Sequence, residues 1–131
     1  MNKYDLNLEK NKANYFPLTP ISFIERTAKT QPDSLSIIYE KKKFTWLETF
    51  LRCKKIAKSL INLGVKKNQT ISVIAPNIPE MVELHFAIPM SGGIINAINT
   101  RLNAEVINFI LKHGEAKVLF IDTEYASILK N

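Results

Sequence analysis

The run 70–98, TISVIAPNIPEMVELHFAIPMSGGIINAI, changes its hydrophobic period twice, and that change decides the fold. Residues 70–75 (TISVIA) form a short, β-branched apolar run of strand length. Pro76-Asn77 breaks it, and Pro79-Glu80 opens a helix, with proline in the first turn where its missing N–H has no intrahelical partner to lose. This helix is expected from Pro79 to about Ala87. It is apolar over much of its circumference (Met81, Val82, Leu84, Phe86) and ended by Pro89 with Gly92-Gly93. Residues 93–98 (GIINAI) read as the next strand. Two strands apolar on both faces and joined by a helix predict a parallel β-α-β unit.

Toward the C-terminus the alternation continues. Asn103 is the N-cap of a helix whose apolar face is read as Val106, Phe109, Ile110 and His113, with Gly114 closing it. Residues 117–121 (KVLFI) form a further strand, and Asp122-Thr123-Glu124 start a last helical turn that runs to Asn131. Toward the N-terminus, Thr45 and Glu48 make a T-x-x-E capping box. The helix it starts runs to Leu63 and is stopped by Gly64 at the left-handed position. Its buried stripe is read as Trp46, Phe50, Cys53, Ala57, Leu60 and Ile61, with Glu48, Arg52, Lys55, Ser59 and Asn62 facing away. Residues 34–39 (SLSIIY), a turn at Glu40-Lys41-Lys42 and a return strand from Lys43-Phe44 predict a hairpin. Thr19-Pro20 start a short helix to about Thr30, with Ile21, Ile24 and Ala28 inward and Gln31-Pro32-Asp33 as its stop.

The predicted class is α/β: β-α-β alternation, a mostly parallel sheet, and a short N-terminal hairpin. Residues 1–13 are a polar lead and 14–131 an incomplete domain. The chain has 131 residues and a formal charge of +6, with 46% hydrophobic residues, enough apolar material for one core. A lone cysteine excludes an intramolecular disulfide and a Cys-rich zinc site. The four glycines form neither G-x-x-x-x-G-K nor G-x-G-x-x-G, so no complete phosphate loop is expected. The polar start has no apolar stretch of signal-peptide length, and the longest uncharged run, 86–100, is too short and too polar to span a bilayer. Export and a membrane span are not expected, a cytoplasmic location is, and the sequon Asn68-Gln69-Thr70 is then without consequence.

Nine of the 18 basic residues lie between Lys41 and Lys67. Two readings compete: a solvated helix face, and a patch that holds nucleic acid or another polyanion. The first is preferred because Trp46 and Phe50, the aromatics that would stack on bases, fall on the buried stripe. Cys53 is read as a buried structural thiol, His85 and His113 as structural histidines, and Gly92-Gly93 as a close-packed helix-to-strand junction. No catalytic, cofactor-binding or metal-binding residue is assigned.

Several phrases taken together resemble the N-terminal part of the AMP-forming acyl-CoA synthetases, within the adenylate-forming ligases. Residues 14–20 (NYFPLTP) are similar to the opening of short- and medium-chain acyl-activating enzymes, and 44–49 (FTWLET) to the family's first core segment. Residues 75–93 (APNIPEMVELHFAIPMSGG) running into 94–102 (IINAINTRL) resemble its second core segment, and 115–122 (EAKVLFID) the strand that follows. The resemblance implies a ligase that uses ATP and Mg²⁺ to make an acyl-adenylate from a carboxylic or fatty acid and passes the acyl group to coenzyme A. It also implies that the phosphate loop, the metal-associated acids and the catalytic lysine lie beyond Asn131. The chain alone is then expected to be inactive and to bind no cofactor. Its partner would be the remainder of the ligase polypeptide or, as an alternative, an intact ligase subunit. A loosely packed, poorly soluble fragment follows, since parallel sheets are covered on both faces.

Overall fold

The computed structural model describes residues 9–130; the greater part of the polar lead, and Asn131, lie outside the described residues. In chain order the elements are α1 (Pro20–Thr30), β1 (Leu35–Tyr39), β2 (Lys42–Thr45), α2 (Trp46–Asn62), β3 (Thr70–Ile74), α3 (Pro79–Met90), β4 (Ile94–Ala97), α4 (Ala104–His113) and β5 (Val118–Ile121). A 3₁₀ segment, Thr123–Lys130, closes the described chain.

β3, β4 and β5 form a parallel sheet in the order β4-β3-β5, and β1 and β2 form a separate antiparallel hairpin. Both are the predicted architecture. β3 is the central strand, and Ile71, Ser72, Val73 and Ile74 are all buried because both of its faces and both of its edges are covered. The strand period sorts them. Ile71 and Val73 pack with Leu60 of α2 and Leu84 and Ile88 of α3, whereas Ile74 packs with Ile98 and Ile107 on the α4 side. α1 joins the first layer through Ile24, which meets Cys53 and Ala87.

Local chemistry places the ends of these elements. Thr45 and Glu48 make the reciprocal capping box: the Thr45 N–H donates to Glu48 Oε2 at 2.8 Å and the Glu48 N–H to Thr45 Oγ1 at 3.2 Å. Thr19 and Ser22 form a second such box at α1, and the Asn103 side-chain Oδ1 accepts from the Val106 N–H at 2.9 Å. Gly64 takes φ 86°, the conformation that ends α2. Gly93 is required for closeness: a Cβ there would stand 2.7 Å from Ile71 Cδ1 and 3.3 Å from Ile88 Cγ2. The junction is therefore a packing device, as its sequence suggests.

Four sequence expectations are corrected. Lys42 belongs to β2, paired with Tyr39, so the hairpin turns on Glu40-Lys41 alone with Glu40 at φ 52°. Pro89 does not stop α3, which continues to Met90. A proline in the final turn forfeits only the bond to residue 85, on the helix's exposed side, and Ser91 then caps the end through bonds to Ala87 and Ile88 carbonyls. On α2, Ile61 is 54% exposed while Thr49 is buried, and Arg52 turns toward α3 rather than to solvent. On α4 the inward face is Ile107 with Ile110 and Leu111; Val106 and Phe109 point outward and Phe109 stacks on His113. Gly114 closes α4 as expected, with an ordinary φ, and the left-handed position falls on Glu115 after it. A Cβ on Gly114 would come within 3.1 Å of the Ile110 carbonyl oxygen.

Candidate functional site

Ligands of doubly wound sheets bind beyond the carboxyl ends of strands, at the point where successive connections leave in opposite directions. Here that point lies between β3 and β5, because the chain passes from β3 to β4 on one side and returns across to β5 on the other. A cleft of about 410 Å³ opens there. Val73, Ala75, Leu84 and Phe120 make its apolar floor, with Glu80 and Asp122 at the rim. The floor is built by the strand period of β3 and β5 and by the first turns of α3.

The polar groups around this cleft are engaged in holding the fold. The Asp122 N–H donates to the Ile74 carbonyl at 2.8 Å, and its carboxylate accepts from the Glu124 N–H at 2.9 Å, capping the closing 3₁₀ segment. Glu80 stands 4.0 Å from the Arg52 guanidinium. One turn further along α3, Glu83 is fully buried and accepts a two-pronged pair from Arg52 Nε and Nη2, the second at 3.1 Å. The Arg52 guanidinium also lies 4.9 Å from the Phe44 ring centroid, so it joins the hairpin, α2 and α3. Donating to the Glu83 carboxylate raises the Arg52 pKa above the ordinary arginine value, against the opposing effect of burial. This set does not fit the Mg²⁺ that the sequence resemblance implies. Among the described residues no three His, Cys, Asp or Glu side chains converge as metal ligands.

The structure leaves the other chemically capable side chains apart. Cys53 is buried, with its thiol pushed from 9.0 up to about 12 by burial first and by the nearby Glu83 second, so it is a poor nucleophile at neutral pH. The His85 Nδ1 lies 2.8 Å from the Met81 carbonyl oxygen one turn back. His113 is stacked on Phe109 with centroids 5.5 Å apart. The arrangement can seat an apolar group against a strand end; it offers no nucleophile with a base beside it. Sequence reading missed the buried Glu83. A second carboxylate in the largely apolar middle of α3 is its only trace, and Arg52, its partner, is 31 residues away in sequence.

Comparison with known proteins places this scaffold. The family model described as AMP-binding enzyme matches residues 24–131. A peroxisomal butyrate–CoA ligase of Arabidopsis thaliana is 46% identical over 124 residues, covering 95% of this chain and 22% of that protein. A peroxisomal trans-cinnamate:CoA ligase of Petunia hybrida is 51% identical over 118 residues, covering 90% of this chain and 21% of that protein. A solved Mycobacterium tuberculosis fatty acyl CoA synthetase superposes with a TM-score of 0.81 at 22% identity over 84% of this chain and 22% of that one, a likeness of fold. The chain thus spans about a fifth of the length of the curated relatives it matches. Among the described residues no helix is long and apolar enough to cross a membrane.

Proposed function

Because the chain belongs to the AMP-binding enzyme family, we propose that it forms the N-terminal α/β segment of an ATP-dependent, AMP-forming ligase that joins a carboxylic or fatty acid to coenzyme A through an acyl-adenylate. The observation that carries this reading is the likeness to CoA ligases along nearly all of the chain, set against the small share of each relative that it covers. Residues 14–131 are then an incomplete AMP-binding domain whose phosphate loop, acidic metal-associated motif and catalytic lysine belong to the rest of the polypeptide, as do the contacts to ATP, Mg²⁺ and coenzyme A. Its own contribution is a scaffold: β3 at the centre, α2 and α3 clamped by Arg52 and Glu83, and a strand-end cleft against which later segments can seat. The cytoplasmic location belongs to the same proposal, although two of the similar plant ligases are named peroxisomal; microscopy of the tagged whole protein tests it.

The function is tested by assaying the purified 131-residue chain and the full-length protein that carries it with ATP, Mg²⁺, coenzyme A and a series of carboxylic acids. Release of AMP with formation of an acyl-CoA by the full-length protein, and none by the chain, is the expected result. A full-length protein that yields no acyl-CoA from any acid would overturn the ligase reading, and an active chain would overturn the assignment of catalysis to later segments.

A further inference from the structure

Besides its buried stripe, α2 carries a second one on its outward side: Leu47, Leu51, Lys54, Lys58 and Ile61, spaced alternately four and three residues apart and all exposed. Leu47, Leu51 and Ile61 are 41%, 45% and 54% exposed, an unusual density of large apolar groups interleaved with ammonium groups on a single helical face. Next to the stripe, α1 and α2 enclose a groove of about 370 Å³ floored by Ile21, Phe50, Ala57 and Met90, with Lys54 and Lys58 at its rim. α1 borders this groove with Ile21 and Glu25, while its exposed Phe23, Arg26 and Lys29 line a separate hollow with Phe16 and Leu18.

The charge on this face is one-sided. Lys54, Lys55 and Lys58 are opposed by Glu25, which is already bonded to Lys29 at 2.7 Å, and by Glu48, which is spent on the capping box. Such a face is ill suited to burial under further polypeptide, because an ammonium group removed from water without a counter-charge is strongly destabilising. It is equally ill suited to nucleic acid: its exposed hydrophobic members, Leu47, Leu51 and Ile61, are aliphatic, and the one ring in the groove, Phe50, is half-buried beneath the Lys54 ammonium group. A bilayer surface satisfies both halves at once. Leucine and isoleucine enter the headgroup region while the long lysine stems carry their charges to lipid phosphates.

We propose that the outward face of α2, with the adjoining side of α1, docks the protein on the surface of an anionic lipid bilayer. The contact is peripheral and reversible, and it brings the protein to the place where apolar acids partition. It does not depend on the ligase reading.

The test is co-sedimentation of the full-length protein that carries these residues with vesicles of phosphatidylcholine alone and of phosphatidylcholine mixed with phosphatidylglycerol. Binding is expected to the mixed vesicles only and to weaken as salt is raised. Each basic group near an anionic surface contributes about 1 kcal/mol, or roughly fivefold in partitioning, so the double variant K54Q/K58Q should bind roughly 25-fold more weakly. Leu51→Ser should also weaken binding, whereas Lys112→Gln, on the α4 side of the sheet, should leave it unchanged. All four side chains are exposed, and matching circular dichroism spectra would establish that the variants fold. No binding to mixed vesicles at low salt, or binding that K54Q/K58Q leaves intact, would overturn the proposal. So would tighter binding to duplex DNA than to the vesicles, which would make the face a polyanion site. Acyl-CoA formation from a water-soluble acid without vesicles, followed in parallel, tests the ligase reading separately.

Discussion

The two faces of the parallel sheet are finished to different degrees. On one, α2 and α3 cover Ile71 and Val73, α1 backs them through Ile24, and a buried carboxylate held by the half-exposed Arg52 and a buried thiol fill the space between helices. On the other, α4 lies over Ile74 with Ile107 as its one fully buried residue, and it turns Phe109 and Val106 to the outside, 65% and 39% exposed. Both faces expose apolar groups, but on the first they alternate with lysines and on α4 they run together with the stacked ring of His113. A layer that must meet more polypeptide keeps charge off its contact surface, because desolvating it is costly; a layer that is complete can carry charge freely. On the proposed ligase reading, the α4 side, with Phe109 and Val106 bare, is the one later segments would cover.

Substitutions can break this contrast. Arg52→Ala strikes the finished face hardest: it leaves the Glu83 carboxylate buried without a cation, and urea denaturation should register a loss of about 3 to 5 kcal/mol. A loss below about 1 kcal/mol would mean that the pair does not hold that layer. Ile107→Ala should cost about 2 to 4 kcal/mol, since it empties the only fully buried position of α4, while Phe109→Ala should change the chain's stability by less than about 0.5 kcal/mol. The sharper reading comes from the full-length protein, where Phe109→Ala should become clearly destabilising; an unchanged value there would show that α4 stays bare. Gly93→Ala should cost about 1 to 3 kcal/mol, because its Cβ meets Ile71, which is itself fully buried and has no room to yield.

The last contrast concerns pH, and its effect is confined to alkaline solution. The Cys53 thiol ionises near 12 in the folded chain and near 9.0 when free, so above pH 9 the unfolded state loses a proton that the folded state keeps. Its contribution to stability is therefore complete below about pH 9 and declines as pH rises toward 12. Comparing Cys53→Ala with the parent chain across that window isolates the effect; parallel stability profiles would place the thiol outside the sealed layer. A thiol reagent at pH 8 should likewise modify the unfolded chain much faster than the folded one.

Legibility varied with the range of the interactions. Capping boxes, the glycine stop at Gly64, the hairpin and the alternation of strands and helices were all readable, because each rests on contacts within a few residues of chain. α2 and α4 each carry two apolar stripes, and periodicity alone cannot say which one turns inward. Of the stripe read for α4 only Ile110 turns inward, while most of the stripe read for α2 is the buried one. The strand-end cleft could not be read at all, as it exists only where β5 has crossed to the far side of β3.

Local sequence by itself settled that this protein is an α/β chain with a parallel sheet, where its helices begin, and, through its phrases, which family it resembles. Only the tertiary structure decided that β3 is central, that Arg52 reaches Glu83, and that α2 and α4 present outward faces of opposite character. The physical reason is that backbone hydrogen bonds and caps are satisfied by near neighbours, whereas burial and charge pairing depend on which distant segments the packed sheet brings together.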